Sequence, residues 1–148
     1  MAHHEPPRRR TLAALAVWAA APRLVSAQGN EAPRGLRAVI QVSDNDPQKW
    51  HLALNNARNA LDELGTREAI ELEIVVYGPG IGMLKMDSTV ANRVAEALAA
   101  GVQVVACENT MRAQKLTQAD MLPRIGYVPA GVVELMKRQQ QGWAYLRP

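Results

Sequence analysis

Three short apolar runs, Arg37–Val42, Ile70–Tyr77 and Val102–Cys107, recur about thirty residues apart, and the segments between them carry apolar residues at three- and four-residue spacing. A strand, an amphipathic helix and a further strand of this length have few folding solutions. The strands lie parallel, and right-handed crossovers place the helices on the sheet faces. The rhythm continues to the C-terminus. Ile125–Val128 reads as a short fourth strand, Pro129 and Gly131 open a helix through Val132, Val133, Leu135 and Met136 to Gln141, and Trp143–Leu146 reads as a last strand. The predicted fold class is α/β: a three-layer α/β/α sandwich around a mainly parallel sheet of about five strands, Rossmann-like or flavodoxin-like.

Local signals punctuate this pattern. Ser43-Asp44-Asn45-Asp46 supplies turn formers and helix caps, and Pro47 then takes the first helical position, where its missing N–H costs nothing. Trp50, Leu54, Ala57, Leu61 and Leu64 form one apolar stripe, and Gly65 ends it. Gly78-Pro79-Gly80-Ile81-Gly82 breaks the second strand and is expected to form a tight turn. Ser88 or Thr89 is placed to cap a helix that buries Val90, Val94, Ala97 and Leu98 and closes at Gly101. A further helix is expected over 109–115.

The N-terminus reads differently, as a targeting segment. Arg8-Arg9-Arg10 is a basic start, Leu12–Ala21 a short apolar stretch, and Val25-Ser26-Ala27 a small-residue cleavage signal. The apolar stretch is too short to span a bilayer, so no stable membrane span is expected. The arginines followed by Thr11 and Leu12, with Arg23 near the cleavage site, resemble a twin-arginine leader, and the expected location is the periplasm. The expected organisation is a signal peptide over 1–27, a linker over 28–36 and a folded domain over 37–148. Four of the 17 basic residues and one of the 14 acidic residues lie in 1–27, which leaves 13 of each in the rest. With no excess positive charge, the domain offers no nucleic-acid surface.

One cysteine and, beyond the leader, one histidine (His51) exclude a disulfide-stapled domain and a self-contained thiolate–imidazole metal site; no metal and no cofactor are expected. Cys107 is nevertheless the focal residue. It lies where the third strand gives way to a helix opening, the end of an α/β sheet where ligands and reactive groups collect. Unpaired N–H groups and the positive end of the helix dipole favour a thiolate there. Asn109, Thr110 and Arg112 are the candidate anion-stabilising residues, whereas the carboxylate of Glu108 opposes ionisation. The other reading is plain: cysteine is among the most buried residue types, and one at the end of an apolar strand is by default core packing.

Other candidates carry less. Gly78, Gly80 and Gly82 lack the full spacing of a dinucleotide fingerprint, and their alternative role is to shape a ligand cleft. His51 beside the apolar stripe reads as a surface imidazole, and Asn55, Asn56 and Asn59 serve either an interface or solvent. Ser43 and Ser88 sit in turn and cap positions without the histidine pattern of a hydrolase.

Val102–Met111 around Cys107, the Gly78-Pro79-Gly80 turn and the stretches Val128–Leu135 and Gln140–Pro148 together resemble the DsrE/DsrF-like family, the sulfur-relay group that includes TusD-type proteins. The resemblance spans about residues 37–148. It implies an α/β/α domain that assembles into homo-oligomers, trimers or hexamers. It also implies a sulfur acceptor at Cys107 that holds a persulfide and exchanges sulfur with a donor or acceptor protein, with Arg112 steadying the anion. The alternative is a non-catalytic oligomeric binding or assembly module with a buried, structural Cys107.

Overall fold

In a computed structural model of the chain, Met1 and residues 35–65 and 69–148 are described, and the expected leader beyond Met1 and residues 28–34 of the expected linker lie outside them. The unit Ala32–Pro148 is built in the order β1 (Leu36–Val42), α1 (Pro47–Leu64), β2 (Ile70–Val76), a 3-10 helix (Gly78–Leu84), α2 (Ala91–Ala99), β3 (Gln103–Cys107), α3 (Glu108–Ala113), a 3-10 turn (Gln118–Asp120), β4 (Gly126–Val128), α4 (Gly131–Gln140) and β5 (Ala144–Leu146). All five strands are parallel, in the order β4-β3-β2-β1-β5.

The strand order dictates where the helices go. From β1 to β4 each crossover moves one strand in the same direction, so right-handed connections keep α1, α2 and α3 on one face. The return from β4 to β5 crosses the whole sheet and places α4 on the other. The packing follows the strand period of two. Ile40, Leu72, Ile74, Val104 and Ala106 join Trp50, Leu54, Val94 and Met111 in the larger core, whereas Val39, Val75 and Val105 meet Leu135 and Trp143 beneath α4.

Chain chemistry accounts for the first crossover as the sequence predicts. The Asp46 side chain accepts the Gln48 N–H at 2.8 Å, Pro47 opens α1, and the Gly65 N–H closes it on the Leu61 carbonyl at 2.8 Å. Trp50 is buried on the sheet side of α1, and its indole N–H donates to the Asp44 carbonyl at 2.8 Å. Two expectations are corrected. The glycine-rich segment does not stop at a turn but winds into a 3-10 helix through Leu84, because Ile81, Met83 and Leu84 bury against the core once Gly80 has been pressed onto the Val42 carbonyl. In addition α2 starts at Ala91 with Val90 at its cap, while Ser88 accepts the Val90 N–H at 3.3 Å from outside the helix.

One charge is buried in the middle of the sheet. Glu73 is 1% exposed on the α4 face, and Arg138 of α4 donates to it from Nε at 2.5 Å while also meeting Glu134 at 2.9 Å. The Arg138 guanidinium stacks 4.5 Å from the Trp143 ring centre, which ties α4 to the chain entering β5. Burial pushes the Glu73 carboxyl above its ordinary value, and the bond from Arg138 only partly offsets this, since Arg138 is shared with Glu134. A carboxyl raised in the folded state holds its proton where the unfolded chain has lost it. Its stabilising contribution is therefore full below the ordinary value of 4.5 and declines as pH rises through the folded value. The expected outcome is that Glu73→Gln gains stability over the native chain as pH rises from 4.5 upward. Urea midpoints of the two proteins across this range check it, and parallel curves would refute it.

Candidate functional site

Cys107 ends β3 on the face that α4 covers, two residues beyond Val105 on the same side of the pleat. Val128 of β4 is its paired neighbour, and because Val76 pairs with Ala106, Tyr77 lies beside it on the β2 side. The chain leaves β3 toward the α1–α2 face and leaves β4 toward the opposite one. The crevice between these two strand ends is thus the switch point of the sheet, where open α/β folds bind ligands.

This reversal brings two helix N-termini to one sulfur. Cys107 is the N-cap residue of α3, with φ −78° and ψ 115°, and Gly131 is the first residue of α4. Burial raises the thiol pKa, since the side chain is only 4% exposed. The Thr110 side chain and then the N–H groups of Gly131, Thr110 and Asn109 outweigh burial, and the net effect holds the thiol below its ordinary value of 9.0. The Asn109 N–H also donates to the Pro129 carbonyl at 3.2 Å. The Cys107 side chain forms no N-cap bond of its own to α3, so the donors reach the sulfur from two helices rather than as one closed cap.

Thr110 has a defined orientation. Gly78, in the left-handed region at φ +56°, turns its N–H onto Thr110 Oγ1 at 2.9 Å. That bond occupies a lone pair of the hydroxyl and leaves its hydrogen for the sulfur. Gly131 is needed for contact: a Cβ there would stand 2.9 Å from Tyr77 Cβ and 3.0 Å from its ring, forcing the α4 terminus away from Cys107.

The residues anticipated from sequence fall into three groups. Asn109 and Thr110 stand at the sulfur, and Gly78 reaches it through Thr110. Arg112 is exposed and donates from Nη2 to Asn109 Oδ1, the side-chain amide of the neighbouring residue on the same turn. Gly80 packs on β1, and Gly82 borders a hollow with Asn45, Trp50 and Lys85, away from Cys107. Gly131 and Tyr77 were not anticipated. Their signal is the Pro129-Ala130-Gly131 helix opening after β4, which becomes meaningful only once β4 is known to lie beside β3. Among the described residues, no cluster of three or more His, Cys, Asp or Glu side chains is placed to hold a metal ion, and no helix is long and apolar enough to cross a membrane.

In comparison with known proteins, residues 37–148 match the DsrE/DsrF-like family. The chain belongs to that family. A solved structure of a protein of unknown function from Methanobacterium thermoautotrophicum is 34% identical, with a TM-score of 0.72 over 76% of this chain and 99% of that one. A conserved protein of unknown function from Bacteroides thetaiotaomicron shares the fold at 16% identity, with a TM-score of 0.62 over 76% of this chain and 94% of that one. No curated protein matches this DsrE-family chain.

The donor set yields a prediction. Thr110→Val removes the hydroxyl while keeping the backbone N–H, whereas Thr110→Ser keeps both. A hydrogen bond to a charged group is worth roughly 1.5–3 kcal/mol, so Thr110→Val is expected to slow iodoacetamide alkylation of Cys107 near neutral pH roughly tenfold. Thr110→Ser is expected to match the native rate. Alkylation rate against pH is the measurement, with the native curve rising at a pH below that of an ordinary thiol; coincident Val and native curves would remove Thr110 from the site.

Proposed function

We propose that this DsrE-family protein accepts sulfane sulfur on Cys107, carries it as a persulfide and delivers it to an acceptor thiol. The observation that carries the reading is the convergence of the α3 and α4 N-termini and the Thr110 side chain on a thiol held below its ordinary pKa. The thiolate attacks the outer sulfur of a donor persulfide. A bond forms between Cys107 Sγ and that sulfur, the donor S–S bond breaks, and the electron pair leaves on the donor thiolate while the proton stays on the transferred sulfur. Attack by an acceptor thiolate on the same outer sulfur reverses the exchange and regenerates Cys107. A persulfide is a stronger acid than a thiol, so the surrounding N–H groups favour the loaded anion further.

The proposal extends to context. The leader-like residues 1–27 support export to the periplasm by the twin-arginine route. Val132, Val133 and Met136, exposed on α4 next to the site, support subunit contacts in a homo-oligomer, a trimer or hexamer.

A second reading rests on one specific observation. At 4% exposure Cys107 is as buried as a core side chain, which favours a non-catalytic oligomeric binding or assembly module with a structural cysteine. Two measurements separate the readings. Incubation with a sulfane-sulfur donor followed by intact-mass spectrometry is expected to add one sulfur atom to the native chain and none to Cys107→Ser. Alkylation of the native protein is expected to be fast. A folded protein that gains no sulfur, and whose thiol stays protected until denaturation, is the structural module instead.

A further inference from the structure

A groove of about 420 Å³ runs between α1 and α2 at the end of the sheet remote from Cys107. Val102, just before β3, lines it, so the length of β3, roughly 16 Å, separates it from the thiol. Its origin is the choice of alanine at facing positions. Ala57 on α1, Ala97 on α2 and Ala100 just beyond it leave a hollow that larger side chains would close, and Leu54 and Leu61 complete an apolar lining. The volume falls in the range of small-molecule sites, about 300–1,000 Å³.

Arg93 of α2 also lines the groove, with an unusual set of partners. Its Nη1 donates to His51 Nδ1 at 2.8 Å and lies 3.4 Å from the His51 carbonyl oxygen, and its Nη2 donates to Asn55 Oδ1 at 2.7 Å. All three acceptors are neutral, which makes Nδ1 the unprotonated nitrogen of His51. Arg58 on the α1 wall is instead neutralised by Asp62 at 3.0 Å. Among the described residues Arg93 is paired with no carboxylate, and a guanidinium with five N–H donors keeps some to spare. A half-buried positive charge is therefore held in place, without a counter-charge, beside an apolar groove. Glu96 on the rim is exposed and screened by water, yet with Asp62 it disfavours a doubly charged anion.

We propose that this groove binds a soluble aliphatic monocarboxylate, with the carboxylate on Arg93 and the chain laid along Ala57, Leu61 and Ala97. Leu54 to Leu61 covers about 10 Å of helix, the length of a chain of roughly eight to ten carbons. The site is independent of the sulfur chemistry at Cys107.

Isothermal titration of the full chain with sodium decanoate tests it. The expected result is saturable binding with a dissociation constant below about 1 mM, absent for decylamine, weakened about tenfold by Arg93→Gln and abolished by Ala97→Phe. Ala100→Trp, which fills the groove from its open rim, serves as the second filling variant should Ala97→Phe fail to fold. Cys107 alkylation is expected to be unchanged in Arg93→Gln. Absence of saturable decanoate binding, equal binding of decylamine, or undiminished affinity in a folded groove-filling variant would overturn the proposal. So would sedimentation with phosphatidylglycerol vesicles without decanoate binding, which would make this face a membrane contact.

Discussion

The reversal of crossover direction between β3 and β4 is the constraint on which the candidate site depends. Three successive crossovers run one way and fill one face with α1, α2 and α3; the fourth must return across the sheet and fill the other with α4 alone. Only at the β3–β4 junction do neighbouring strands send their chains to opposite sides. A side chain there meets the N-terminal end of a helix above the sheet and of another below it. Cys107 occupies that position, and no local sequence preference around it would suffice, because one of its four donors, the Gly131 N–H, comes from a segment more than twenty residues further along the chain.

Two opposed influences set the acidity of the thiol. Burial in a low-dielectric setting disfavours the anion, and for this sulfur it is the largest single influence. The opposing donors are individually smaller and collectively larger. Three are backbone N–H groups at helix starts that have no intrahelical partner, so aiming them at sulfur sacrifices no helical bond. The fourth, Thr110, is oriented by Gly78, whose left-handed backbone closes β2 against the start of α3. The same burial that raises the cost of ionisation also strengthens each donor, because fewer water molecules compete for the charge.

Most of the fold was legible in the sequence, and the reasons are local. Asp46-Pro47 and Gly65 bracket α1 through capping and backbone chemistry, and the near-continuous apolar strands mark a sheet covered on both faces. The two departures, at Gly78–Leu84 and at the start of α2, come from tertiary packing: Ile81, Met83 and Leu84 are drawn inward by a core that the local pattern does not display. The site was half legible. Asn109 and Thr110 follow Cys107 directly and inherit their role from the helix start. Gly131 and Tyr77 become its neighbours only through strand order, which a single sequence does not encode at the residue level. For Arg112, helical spacing places a cation within reach of the thiol, whereas the hydrogen bond its side chain makes, to the Asn109 amide, is legible only in the structure.

The thin side of the sandwich explains why a charge is tolerated in the sheet. The face under α4 buries only a small apolar cluster, with Leu135 as the one large buried side chain of that helix. So short an apolar contact specifies the position of a ten-residue helix poorly. Glu73 and Arg138 add direction: two hydrogen bonds of defined geometry, at 2.5 and 3.3 Å, join the middle of β2 to the far end of α4. A buried ion pair contributes little net stability, yet an off-register helix would leave Glu73 charged and unpartnered, at a cost of several kcal/mol. The penalty on wrong arrangements, rather than the strength of the right one, is what such a pair supplies. At the other end of the same helix the close approach of Gly131 to Tyr77 fixes the first turn. Between these two attachments α4 presents its leading N–H to Cys107 in a single register.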